Sequence, residues 1–169
     1  MANRRASGSS LRLRELRLRC AARGSGFSLV EVLITMGLVA SLSAIVVPQF
    51  MDMVERGRVA KAATDIAGMS LEIERFKDLN GRYPSNLADI GLDGMVDPWG
   101  NAYRYLKIEA VQGFLGMRMD RFLVPINSDF DLYSVGPDGV TAAPLVSGPG
   151  SDDIVRANNG QFVGLATDF

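Results

Sequence analysis

The segment Phe27–Val47, F-S-L-V-E-V-L-I-T-M-G-L-V-A-S-L-S-A-I-V-V, constrains this chain more than any other: 21 residues with a single charge. As an α-helix it spans about 31 Å, close to the roughly 30 Å hydrocarbon core of a bilayer. Arginines crowd the chain before it and Pro48 closes it. A helix buried in a soluble core explains the apolar residues but needs no arginine-rich preface. An ordinary secretory signal competes more seriously, because Ser41-Leu42-Ser43 offers small residues at the spacing a signal peptidase reads, with Ala44 as the new start. Ile45-Val46-Val47 prolongs the apolar run past that point, as an anchor does. Arg4-Arg5 stands too isolated for a twin-arginine signal.

The charge distribution agrees with an anchor. A net charge of −1 hides seven arginines and one glutamate in residues 1–26, against 11 basic and 18 acidic side chains in the remainder. Basic flanks stay on the cytoplasmic side of a span, so the acidic body is expected outside the membrane. That acidity argues against nucleic acid as a partner. The single cysteine, Cys20, lies in the basic leader, and histidine is absent. An intrachain disulfide, a Cys/His zinc site and His-dependent catalysis are therefore excluded. Hydrolases built on carboxylates alone stay open, but no constellation points to one, and an enzyme is not expected.

Glu31 is what a generic anchor leaves unexplained. An ionised carboxylate in lipid costs roughly 2.5–3.5 kcal/mol or more unless it finds a partner. Near a chain end, a free α-amine is such a partner. Cleavage between Gly26 and Phe27 would create one, with Glu31 as the fifth residue of the shortened chain. Two staggered helices could then pair the amine of one with the glutamate of the other and so fix their register.

The stretch G-F-S-L-V-E-V-L-I-T-M-G-L-V-A, with Pro48 ending the span, resembles the N-terminal signature of type IV pilins and type II secretion pseudopilins. The resemblance implies cleavage by a prepilin peptidase after Gly26, N-methylation of Phe27, and an assembly role for Glu31. The 26-residue leader is longer than many in the family, and Met1 need not be the true start.

Beyond the span, Pro48 is expected to kink or loosen the helix, since it offers no amide hydrogen, and Gly57 adds a second soft place. Val59, Ala63, Ile66, Met69, Ile73, Phe76 and Leu79 recur at three- and four-residue intervals, the pattern of an amphipathic helix. Lys61, Asp65, Glu72, Glu74 and Lys77 occupy its other face. Asn80-Gly81 and Pro84 end it, giving a helix of about 80 Å if counted from Phe27. Residues 81–101 read as a glycine- and proline-punctuated loop. Strand-like runs follow at Ala102–Glu109, Arg118–Val124 and Phe130–Val135, with a short fourth at Gln161–Ala166. The expected class is α+β: a long N-terminal helix, its first half transmembrane, packed on a small antiparallel sheet, as in pilins. The parts are a leader (1–26), a membrane or filament-core helix (27–47), its amphipathic continuation (48–80) and a periplasmic β-rich part (81–169).

Two further stretches narrow the resemblance. G-R-Y-P at Gly81–Pro84 with D-P-W-G-N-A-Y-R-Y at Asp97–Tyr105, and D-L-Y-S-V-G-P-D-G at Asp131–Gly139, are similar to the major pseudopilins of type II secretion. On the residues alone, Asp97-Pro98-Trp99-Gly100 reads as a turn with a structural aromatic beside it.

Asp138-Gly139 and Asp152-Asp153 bracket a loop rich in glycine, proline and serine. Carboxylates supplemented by loop carbonyls suit Ca²⁺, which takes six to eight oxygens. The resemblance implies a calcium-stapled loop with Asp138, Asp152 and Asp153 as ligands, joined by main-chain oxygens of Val135 and, more weakly, Val140. The apolar insert Ala142-Ala143-Pro144-Leu145-Val146 and the tail R-A-N-N-G-Q-F-V-G-L-A-T-D-F depart from the family pattern. Without a metal, the same acids read as an Asp-Gly turn and an Asp-Asp cap. Asp129-Phe130-Asp131 opens like an EF-hand loop, but Leu132-Tyr133-Ser134 lacks the later oxygens and glycine.

The resemblance implies a structural subunit of a type II secretion pseudopilus that drives folded proteins across the outer membrane. It would be single-pass in a bacterial inner membrane, its N-terminus cytoplasmic and its globular part periplasmic, and would enter a periplasmic fibre after assembly. Its partners would be further copies of itself, the prepilin peptidase, minor pseudopilins and an inner-membrane assembly platform. A major or minor subunit of a surface type IV pilus is the alternative within the same chemistry, and a membrane-anchored binding module the alternative outside it.

Overall fold

The computed structural model describes residues 26–114, 116–121 and 123–169; the basic leader with Arg4-Arg5 and Cys20 lies outside the described residues. The chain divides into two units, Met1–Ser43 and Ala44–Phe169, and a single helix, α1 (Leu29–Asn80), runs through both. Helical structure persists through Pro48 and Gly57, so neither residue ends the helix.

In the first unit the apolar side chains of α1 are exposed: Leu29, Leu33, Met36, Val39 and Leu42 are all at least 61% accessible. An 18-residue window of α1 has a mean hydropathy of 2.3 with none of it buried, so the helix is long and apolar enough to cross a membrane. A core helix of a soluble domain would bury such a window.

The second unit is an α+β fold. Its sheet is an antiparallel meander in the order β1 (Arg104–Lys107), β2 (Phe130–Ser134), β3 (Ile154–Ala157) and β4 (Phe162–Leu165). Register pairs Arg104 with Tyr133, Ser134 with Ile154 and Ile154 with Leu165. Strand side chains alternate between faces. Phe130, Leu132 and Ile154 point toward α1 and meet Ala62, Ile66, Met69 and Ile73, together with Tyr83 and Tyr103. Tyr133, Val155 and Ala157 point the other way and pack against Ile126, Leu145, Ala166 and Phe162. The connections between strands thus supply a second, smaller core.

The helical stripe is shorter than its sequence pattern. Val59 and Ala63 are partly buried and Ile66, Met69 and Ile73 fully so, but Leu79 is 76% exposed. The last turn of α1 extends beyond the sheet's apolar cover. The helix stops at Asn80, where Gly81 adopts φ 70° and its amide donates to Lys77 O at 2.7 Å. That left-handed residue is cheap only for glycine.

Two strand expectations need correction. Arg118–Val124 is not a strand: Asp120 and Leu123 bond to each other's main chain, and Arg121 between them has φ 44°. Among the described residues this segment turns back on itself and makes only isolated bridges, Met119 with Pro144 and Asp120 with Leu123. Conversely, Ile154–Ala157 is a strand that the sequence pattern did not reveal. It has only four residues, and one of them, Arg156, is a buried charge rather than an outward-facing polar group.

Candidate functional site

The first site is the start of α1. Gly26, Phe27 and Ser28 precede the helix in non-helical backbone, and Phe27 is 82% exposed. Ser28 caps the helix: its Oγ accepts from Val30 N at 3.3 Å and its carbonyl from Val32 N at 3.1 Å. A serine just outside a helix is a good N-cap because its oxygen satisfies an amide that has no partner within the helix. The Gly26–Phe27 peptide therefore lies just outside helical hydrogen bonding. Glu31 is exposed in the first helical turn, where a carboxylate complements the positive end of the helix dipole.

The second site joins the two motif stretches around the end of β2. Asp97, 4% exposed, organises the Asp-Pro-Trp-Gly-Asn turn. Its Oδ1 accepts from Trp99 N at 3.0 Å and Asn101 N at 2.8 Å. Its Oδ2 accepts from Ser134 Oγ at 2.5 Å, and Asn101 Nδ2 donates to Gly136 O at 3.0 Å. The motif at 97–105 is thus bolted to the motif at 131–139. Trp99 is partly buried against the helix-side core, and its Nε1 donates to Glu55 Oε1 at 2.9 Å. The aromatic beside the turn has the structural role its sequence context suggested.

The acids of the long β2–β3 connection sit around Gly136. Gly136 has φ 67°, and a Cβ there would stand 2.4 Å from Asp152 O and 3.1 Å from its Oδ2. Asp138 is exposed; its amide donates to Asp152 Oδ2 at 3.4 Å, and its own Oδ1 accepts from Val140 N at 2.8 Å. The latter is an Asx turn, the arrangement expected of Asp138-Gly139 without a metal. Val135 is buried at the end of β2 and Val140 is exposed. Asp153 is fully buried immediately before β3, so Asp152-Asp153 leads into a strand rather than capping a helix.

Among curated proteins, the chain is 30% identical over 138 residues to the type II secretion system core protein G of Pseudomonas aeruginosa, covering 68% of this chain and 84% of that one. It belongs to the core protein G family. The Aeromonas hydrophila protein of the same name is 31% identical over 140 residues, covering 69% of this chain and 85% of the other. The Escherichia coli K12 protein is 26% identical over 145 residues, covering 72% and 88% respectively. No family model and no solved structure matches the chain.

The acids of the β2–β3 connection do not gather into one donor set. Among the described residues, no group of three acidic side chains stands close enough to hold a metal ion. Asp138 and Asp152 are neighbours, but Asp153 Oδ2 is taken by Arg118 Nη2 and by Thr141 Oγ1, the latter at 2.6 Å. Asp152 Oδ1 and Asp153 Oδ1 are buried without a hydrogen-bond partner among the described residues. Of the expected ligands Asp138, Asp152, Asp153 and Val135, the three acids therefore do not form one group: Asp153 faces Arg118 and Thr141, while Asp138 and Asp152 face each other. Burial raises the Asp153 carboxyl above the usual carboxylate range, against the pull of Thr141 and Arg118.

Two buried arginines escaped the sequence reading. Arg118, 2% exposed, lies over the Tyr133 ring with its guanidinium carbon 4.4 Å from the centroid. Arg156, 1% exposed, lies 4.0 Å above the Phe130 ring and grips Asp129 with both terminal nitrogens, at 2.7 and 2.8 Å. Burial alone would raise Asp129; the Arg156 guanidinium and the Phe130 amide together outweigh it and hold the carboxyl below its usual range. The available signal was Asp129 itself, which, once the EF-hand reading is rejected, is an acid at a strand start in need of a partner.

Proposed function

We propose that this chain is a structural subunit of a periplasmic type II secretion pseudopilus. It enters the inner membrane through Phe27–Val47, with residues 1–26 as a leader in the cytoplasm and the globular part in the periplasm. A prepilin peptidase cleaves between Gly26 and Phe27, and the new phenylalanine is methylated. Mature copies polymerise with the Phe27–Val47 segment as the filament core. Glu31 of one copy meets the terminal amine of its neighbour and sets the stagger. Growth of the fibre from an inner-membrane platform, together with minor pseudopilins, pushes folded proteins through the outer membrane.

The observation that carries this reading is the exposed apolar stretch of α1 with Glu31 in its first turn, in a member of the core protein G family. Apolar surface of that extent needs lipid or other helices around it. A carboxylate within it needs a cation, and the amine of a neighbouring copy supplies one without adding a second charged side chain to the span.

Mass spectrometry of the mature N-terminus tests the proposal. The expected product begins at an N-methylated Phe27. A product beginning at Ala44, or a chain retaining its leader in cells that process other prepilins, rejects it.

A further inference from the structure

Arg118 occupies a pocket built for a cation. Its Nη1 donates to Thr141 Oγ1 at 2.6 Å and to Ala142 O at 2.7 Å, and its Nη2 pairs with Asp153 Oδ2. The Tyr133 ring supports the guanidinium from one side. Its own main chain is anchored as well: Arg118 N donates to Asp131 Oδ2 at 2.8 Å, and Ile126 N donates to Arg118 O at 3.2 Å. Next to it, Met119 N donates to Ala143 O at 3.0 Å and Leu145 N to Met119 O at 2.8 Å. Through this one residue, the β1–β2 connection, the apolar insert Ala142–Val146 and the residue just before β3 are held together.

We propose that Arg118 is the cation that staples the β2–β3 connection, replacing the calcium ion that the family resemblance leads one to expect. The guanidinium satisfies the three oxygen partners that a hard cation would otherwise draw from this part of the loop: a carboxylate, a hydroxyl and a carbonyl. Its planar fork suits several acceptors at once, and it stays charged at every physiological pH. A staple of this kind is covalently part of the chain, so its strength does not follow the concentration of any ion. It also accounts for the departures in this loop. The insert supplies Ala142 O as an acceptor and Leu145 as cover for the second core, and Asp153 is turned toward Arg118 rather than toward Asp138 and Asp152.

Thermal unfolding of the full mature chain in detergent, with excess EGTA or with millimolar CaCl₂, tests the staple without reference to fibre assembly. The expected wild-type midpoints coincide. A calcium site filled to a hundred times its dissociation constant would raise the midpoint by roughly 5–10 °C. Such a rise would overturn the proposal and return the unpartnered Asp152 and Asp153 oxygens to a metal. Arg118→Gln is expected to lower the midpoint by roughly 10 °C in both media, because it strands a buried carboxylate. Asp153→Asn should lower it less, and the double variant should lose less than the two single losses added. An Arg118→Gln midpoint equal to wild type would equally sink the idea. If that variant fails to fold, the wild-type comparison in EGTA and CaCl₂ still decides.

Discussion

Ser134 Oγ donates to Asp97 Oδ2 at 2.5 Å, linking the last residue of β2 to a turn 37 positions earlier in the chain. Both residues are buried, and the same serine oxygen accepts from Gly136 N at 3.1 Å. A single hydroxyl thus passes order from the Asp-Pro-Trp-Gly-Asn turn to the start of the acidic loop. Replacing it with alanine leaves one lone pair of Asp97 and the amide of Gly136 without a partner. Ser134→Ala is expected to destabilise the chain by about 1–3 kcal/mol. Trp99 is the sole tryptophan and lies in this turn, so its fluorescence during urea unfolding reads the change directly. A loss under about 0.5 kcal/mol, the scale of ordinary surface substitutions, would contradict the linkage.

Gly136 offers a sterically cleaner test. Its φ of 67° is unfavourable for any residue with a side chain, and an added Cβ would meet a backbone carbonyl of Asp152 at 2.4 Å. A flexible side chain could move aside, but main chain anchored at the start of β3 cannot do so cheaply. Gly136→Ala should cost about 2–4 kcal/mol. The control is Gly94→Ala, where a Cβ meets nothing within 4 Å and φ is not positive. Urea midpoints of the two variants should differ clearly, and equal midpoints would refute this account of Gly136.

The Asp129–Arg156 pair predicts how stability depends on pH. Because the folded-state carboxyl of Asp129 lies below its unfolded value, the folded chain binds fewer protons there than the unfolded chain. Its contribution is therefore fully present above the unfolded value of about 3.9 and disappears as pH falls through the lower folded value. Unfolding free energy should drop on acidification below about pH 4, and Asp129→Asn should flatten that part of the profile. A profile in the variant as steep as wild type would show that other carboxylates dominate. Asp131 and Asp153, raised chiefly by burial, act in the opposite sense: protonation relieves their desolvation, so their contribution rises as pH falls through their folded values.

Glu31 separates assembly from folding. It lies in the first unit and belongs to neither core of the second, so Glu31→Gln should leave the melting midpoint of the second unit unchanged. Fibre formation, scored by sedimentation or electron microscopy after the outer membrane is opened, is expected to be lost or reduced at least tenfold, since the neutral amide cannot pair with an amine. Fibres at wild-type abundance from Glu31→Gln cells would remove the proposed stagger mechanism.

Local rules carried much of this structure. The apolar run, its arginine flank and the 3.6-residue stripe at Val59–Phe76 specify α1, because each depends only on spacing and solvent preference along one helix. Asn80-Gly81 ends that helix through a left-handed glycine, a conformational requirement visible in two letters. The class of fold and the position of Gly26, Phe27 and Glu31 at the head of the helix were equally legible. What spacing cannot reveal is which distant groups meet. Leu79 continues the stripe in sequence yet is exposed, because burial depends on where the sheet stops rather than on the helix. Arg118 and Arg156 look like surface charges until tertiary packing places carboxylates and aromatic rings around them, and only that placement makes it favourable to bury them. The same packing turned Ile154–Ala157 into a strand, turned Arg118–Val124 back on itself, and aimed Asp153 at a guanidinium instead of at its acidic neighbours, since long-range electrostatic pairing is decided by three-dimensional proximity and not by order along the chain.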